Sequence, residues 1–119
     1  MDMKIHTVYR LWMENDQGEK VFGRGPYDLL KKIEDCGSLN KAASELGMSY
    51  SKAFQVIKNC ETHLGIKFLD REIGGVKGGG STLTAGGIEF INLYEKACRE
   101  TDIKMKEITE ELNKRNFDK

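Results

Sequence analysis

The stretch from Gly37 to Ile57 constrains the fold most, because it encodes two short helices and the turn between them in a few residues. Ser38 offers a hydroxyl to the orphan N–H groups of one helix, and Gly37 closes the helix before it. Ala42 and Ala43 are small where two helices must pass closely, and Leu46 anchors the end of the short helix. Gly47 supplies the positive φ of a sharp inter-helix turn. Met48 then turns inward, and Ser49 caps a second helix whose inner face is Ala53, Val56, Ile57 and Cys60. A plain helical hairpin has no need of Ala43, Gly47 and a fresh cap at these spacings together. They spell a helix-turn-helix, whose second helix enters the DNA major groove.

The elements around this pair predict a mainly α fold with a small β component. Ile5, Thr7, Val8, Tyr9, Leu11 and Trp12 are strand formers in imperfect alternation, Asn15 to Glu19 is a turn, and Lys20 to Gly23 resumes an extended run. A β-hairpin is expected over 4–23, with Trp12 and Phe22 as packing residues. Gly25-Pro26 opens a helix with Leu29, Leu30, Ile33 and Cys36 on its apolar face. The helices, including the helix-turn-helix, occupy 26–65. Residues 66–83 read as a wing: a strand, a glycine tip around Lys77, Gly78 and Gly79, and a returning strand. Glycines at the tip let backbone approach a phosphate without Cβ clashes.

Thr84 caps a last helix over 85–115. Its Gly87, Ile91, Tyr94, Cys98, Thr101, Met105, Ile108 and Leu112 step by four and three alternately, a heptad seam. Ile91, Tyr94, Cys98, Met105, Ile108 and Leu112 are therefore expected to pair two copies into a homodimer. The alternative is that the first half of this helix packs on its own domain while the charged second half runs into solvent.

The 119 residues suit one domain with a modest core. Nineteen Lys and Arg balance nineteen Asp and Glu, so net charge alone does not point to nucleic acid. Between Gly47 and Leu83, however, Lys52, Lys58, Lys67, Arg71 and Lys77 outnumber Glu61, Asp70 and Glu72. Affinity for double-stranded DNA must then come from a dimer and shaped contacts as well as charge. The first candidates for contact are Ser49, Tyr50, Ser51 and Lys52, around the N-terminus of the second helix, where free N–H groups favour a phosphate. Lys52 can donate to guanine and Gln55 can pair with adenine. Tyr50 suits a phosphate, a thymine methyl or the core. Lys58 and the wing's Lys77, Gly78 and Gly79 suit the DNA backbone.

Other chemistries fit poorly. Gly75 to Gly80 has the spacing of a phosphate loop, but Ser81 stands where its lysine must be. Cys60 and His63 share a helical face without a second ligand pair, so no metal is expected. The three widely spaced cysteines argue for reduced thiols. No apolar run can span a bilayer and no signal peptide opens the chain, which predicts a cytosolic protein without a membrane partner. No residues assemble into a catalytic arrangement, so no enzyme is expected.

Gly37-Ser38-Leu39 with Ala42-Ala43, Gly47-Met48-Ser49-Tyr50, the Gly74 to Gly80 stretch and Leu83-Thr84-x-x-Gly87 resemble the N-terminal DNA-binding domain of the ModE molybdate-responsive regulators. That domain is similar to the winged helix of LysR-type regulators. The resemblance spans Lys4 to Ala97 and is most specific at the wing. It implies a dimeric winged-helix DNA binder with a long dimerisation helix, and control of molybdenum uptake or molybdoenzyme genes. It also implies DNA contacts on the Ser49–Gln55 region and on the Gly74–Gly80 wing. Full-length members bind molybdate in later β-rich domains; this chain ends at Lys119 after a charged helix. Molybdate binding is therefore not carried over, no cofactor is expected, and a small-molecule effector is unknown. Phe54 sits where many members have a larger indole, a packing variation. Two other readings stay open: a winged-helix adaptor that recruits a protein without reading DNA, and an oxyanion sensor acting in the dimer cleft.

Overall fold

The computed structural model describes residues 4–71, 80–115 and 117; the expected contacts Lys77, Gly78 and Gly79 lie outside the described residues. The elements in chain order are β1 (Met13–Glu14), β2 (Lys20–Phe22), α1 (Arg24–Cys36), α2 (Leu39–Glu45), α3 (Tyr50–Leu64), β3 (Leu69–Arg71), β4 (Ser81–Leu83) and α4 (Ala85–Lys114). This is a winged helix-turn-helix with a short hairpin before it and a long helix after it.

The hairpin turn forms as its residues dictate. Asn15 accepts the Gly18 N–H on its backbone carbonyl, and its side-chain oxygen accepts the N–H groups of Gln17 and Glu19. The ladder is shorter than the 4–23 hairpin expected, pairing Met13 with Phe22 and Glu14 with Lys20. Residues 4–12 instead run extended along α4. The Ile5 backbone exchanges hydrogen bonds with the Asn113 amide at 2.8 and 3.0 Å, Thr7 reaches Met105 O and Thr109, and Tyr9 reaches Cys98 O and Asp102. Alternation survives, but a helix rather than a strand receives the inward side chains.

In the helix-turn-helix, Ser38 Oγ accepts the Lys41 N–H and Ser49 Oγ accepts the Lys52 N–H, each at 3.1 Å. Gly47 has φ of 71°, a value that costs any other residue strain, and Met48 N–H bonds back to Ala43 O at 2.8 Å. Ala42, Ala43, Ala53 and Ile57 are buried between α1, α2 and α3. Enlarging any of the three alanines would push the second helix out of register with the first.

The wing strands pair antiparallel, Leu69 with Leu83 and Arg71 with Ser81, and Ser81 N–H also bonds the carbonyl that ends α1, Gly37 O. α4 starts hard against β3: a Cβ on Gly87 would lie 2.6 Å from Phe68 O. At the centre, Phe22 packs edge-on against Phe68, Phe90 and Tyr94, with ring centroids 5.9, 4.7 and 5.2 Å away.

Three of the expected packing residues find the following places in the fold. Ile91 and Tyr94 are each 2 % exposed, inside the core of their own chain, and Tyr94 OH donates to Leu11 O. The heptad predicts both on a seam with a second copy; in this chain they pack within their own domain. Trp12 is not a core residue: it is 48 % exposed, donates Nε1–H to Glu14, and lies under the Lys20 ammonium. The hairpin's packing aromatic is Phe22 alone of the pair.

The hairpin turn is tied to the far end of α3 by His63. Its Nδ1 donates to Asn59 O at 2.8 Å, and Nε2 faces Glu19 at 3.4 Å. The Asn59 carbonyl and then Glu19 hold the His63 pKa above its ordinary 6.5, while Asn15 and then His63 hold Glu19 below its ordinary 4.5. Stability from a raised His pKa is fully present below 6.5 and is lost as pH rises through the folded value; that from Glu19 is present above 4.5 and is lost on acidification. His63→Gln should therefore lie furthest below wild type in urea midpoint between pH 4.5 and 6.5 and converge on it in mild alkali. A gap independent of pH would mean that the ion pair contributes nothing.

Candidate nucleic-acid interface

α3 is two-sided. Ala53, Ile57 and Cys60 are buried against the rest of the domain, while Ser51, Lys52, Gln55, Lys58 and Asn59 face out. Ser49 sets its start. Because its Oγ is engaged with the Lys52 N–H, the other N–H groups of the first turn remain outside the helical ladder and point along the axis, where the dipole favours an anion. A domain that exposes the positive end of one helix beside two lysines has a surface for phosphates.

The predicted contact residues of this helix are all at the molecular surface. Ser49, Tyr50, Ser51, Lys52, Gln55 and Lys58 are all exposed. Gln55 Nε2 donates to Asn59 Oδ1 at 3.3 Å, so the two amides form a pair one turn apart. That leaves the Gln55 carbonyl oxygen and one N–H as the acceptor and donor that an adenine edge needs. Sequence reasoning misses Asn59, although it follows Gln55 by four on the outward face, which is the available signal. It also misses Phe54 as a surface ring, 37 % exposed. Phe54 stacks on Tyr50, 44 % exposed, with centroids 6.3 Å apart and planes 27° off parallel.

Lys67, two residues before β3, and Asp70 on that strand pair with each other at 3.6 Å. Lys67 is thereby partly neutralised, which shifts the local positive bias toward Lys52 and Lys58. The expected contacts at the glycine tip lie outside the described residues.

With this geometry in place, comparison of the sequence with known proteins is decisive. Residues 27–87 match the family model of bacterial regulatory helix-turn-helix proteins of the LysR family. The chain belongs to that family. The LysR-type match runs from Tyr27 in α1 through the wing to Gly87, where α4 meets β3. Among individual relatives, the transcriptional regulator ModE of Haemophilus influenzae is 36 % identical over 67 residues, 56 % of this chain and 26 % of that protein. The DNA-binding transcriptional dual regulator ModE of Escherichia coli K12 is 36 % identical over the same length and shares. The molybdenum transport protein ModE of Azotobacter vinelandii is 32 % identical over 85 residues, 71 % of this chain and 32 % of that protein. The chain thus spans about a quarter to a third of the length of these relatives.

The residues weighed for other chemistry have structural partners. Burial pushes the Cys60 thiol up to about 11, and His63 is occupied by Asn59 and Glu19. Among the described residues, no three His, Cys, Asp or Glu side chains come together as a metal would require. No described helix is long and apolar enough to cross a membrane. With iodoacetamide near neutral pH, Cys60 should react far more slowly than Cys36 and Cys98, which are half-buried, and should catch up only on unfolding. Equal rates in the native protein, read by peptide mass, would contradict the burial of this face of α3.

Proposed function

We propose that this LysR-type domain is the DNA-reading part of a transcriptional regulator that binds an approximately palindromic duplex as a homodimer. The carrying observation is the outward face of α3: a capped helix start, Lys52, Gln55 and Lys58 exposed on one side, and a fully packed opposite side. Phosphates engage the helix start and the lysines and fix register; Lys52 and Gln55 meet base edges. Two-fold symmetry then puts two half-sites about one helical turn, or a multiple, apart.

The dimer contacts left to α4 begin at the edge of the core, against which Cys98 still packs. Cys98, Met105, Ile108 and Leu112 are half-buried, with Leu93 and Ile103 more than half exposed on the same helix. The first part of α4 is committed to its own domain, so a partner engages the C-terminal half and the 4–12 segment lying on it. Ile108→Glu with Leu112→Glu should leave a folded monomer on sedimentation. Its DNA affinity should drop into the range of roughly 10⁻⁴–10⁻⁶ M typical of nonspecific binding. A double variant that stays dimeric would put the interface elsewhere.

The names of the relatives, regulators and molybdenum transport proteins, support genes of molybdenum uptake as targets. The reading as a whole is tested by selecting duplexes from a random pool and titrating salt. Sequence-selective retention is expected, with affinity falling on the order of a hundredfold between about 50 and 200 mM salt for about four neutralised phosphates. Equal retention of all sequences would refute it.

A further inference from the structure

We propose that Tyr50 and Phe54 form an apolar reading surface for the 5-methyl groups of thymine, making thymines under the first two turns of α3 part of the preferred site. This rests on the DNA-binding reading above and names what that interface selects.

Position and exposure come first. Tyr50 is the first residue of α3 and Phe54 lies one turn on, so both occupy one stripe of the helix. They are 44 % and 37 % exposed, whereas Ala53 and Ile57, on the inner side, are 0 % and 3 % exposed. Ser51, three residues before Phe54, and Lys58, four after it, are the exposed neighbours of this stripe, with Gln55 next to it on the outward face. The rings stack with centroids 6.3 Å apart, presenting one continuous apolar surface. Mutual stacking also restricts both side chains beforehand, which lowers the ordering cost of docking.

Chemistry then narrows the partner. A phenyl ring has no donor or acceptor, so it gains nothing from a phosphate oxygen or from a guanine, cytosine or adenine edge. The major groove offers one apolar group, the thymine methyl. Insertion of a ring between base pairs, the other apolar option, requires unstacking and is a minor-groove device. A helix that places two aromatic rings beside a lysine and an amide therefore reads methyl groups with the rings and polar edges with the others.

The test uses the whole chain and duplexes selected by it from a random pool. Each thymidine is replaced in turn by deoxyuridine, which deletes only the methyl. Affinity is expected to fall about fourfold at each contacted position, the worth of burying one group of that size. Tyr50→Ala and Phe54→Ala should bind the thymine and uracil forms equally at those positions, and Phe54→Leu should keep the preference. Because the readout is a ratio on one preparation, a partly unfolded variant does not distort it. Wild type that discriminates sequences but binds both forms equally would overturn this proposal and leave DNA reading intact. Alanine variants that keep the full ratio would also overturn it. Absence of any sequence-selective binding would overturn both readings.

Discussion

Phe22→Ala should cost about 3–5 kcal/mol, the usual toll of truncating a fully buried aromatic. The side chain is 1 % exposed and touches three other rings, Phe68 beside β3 and Phe90 and Tyr94 from α4, while its own backbone belongs to the hairpin. One deletion thus loosens hairpin, wing base and long helix together. Against a total of about 5–15 kcal/mol for a domain of this kind, most of the margin disappears. The thermal midpoint should drop by roughly 10–20 °C. Phe22→Leu keeps apolar volume but loses the edge-to-face contacts, and should cost about 1–1.5 kcal/mol. Trp12→Ala, just before the neighbouring strand and half in water, should stay within about 0.5 kcal/mol of wild type apart from its contact with Lys20. Calorimetry on the three variants checks the order. A loss for Trp12→Ala as large as for Phe22→Ala would contradict a core centred on the Phe22 ring.

The second large effect concerns recognition. Lys52→Ala and Gln55→Ala should each weaken binding to a selected duplex by about 1–3 kcal/mol and relax preference at one base position. The two residues lie three apart on the outward face and take no part in the core, so unfolding cannot imitate the effect. Gln55 has one complication, its amide bond to Asn59. In Gln55→Ala that amide is released and can reach a base in its place, so the specificity of the variant should change rather than simply vanish. Lys58→Ala, by contrast, should weaken all duplexes evenly and reduce the salt slope by about one unit. Competition binding with single-position duplex variants separates these outcomes. An even loss for Lys52→Ala would move that lysine from base edge to phosphate.

Much of this arrangement is legible from residue order because its determinants are local. Ser38, Gly47 and Ser49 act on backbone groups within a few residues of themselves, so caps and turn follow from the chain alone. The Asn15–Gly18 turn is legible for the same reason. What residue order leaves open is the identity of the packing partner. Alternation from Ile5 to Met13 states that one side is covered, and is silent on whether a strand or a helix covers it. The heptad on α4 likewise announces a buried stripe without saying whose surface buries it; Ile91 and Tyr94 serve their own core. Trp12 and Phe22 are equally apolar on paper, yet Phe22 is held inward on its strand while Trp12, one residue before the ladder, stays at the surface. Phe54 reads as a packing residue because aromatic residues on helices usually pack, although its spacing from Tyr50 already puts it beside the outward stripe.

All of these consequences for recognition depend on α3 presenting its exposed side to base pairs in the major groove. Dimethyl sulfate interference on a selected duplex reads this directly, since the reagent methylates guanine N7 in the major groove and adenine N3 in the minor groove. N7 methylation within each half-site should abolish binding, at positions that lose their sensitivity in Lys52→Ala. Binding that ignores N7 methylation throughout the half-sites would contradict a helix seated in the major groove, and with it the reading of this domain as a sequence-selective regulator.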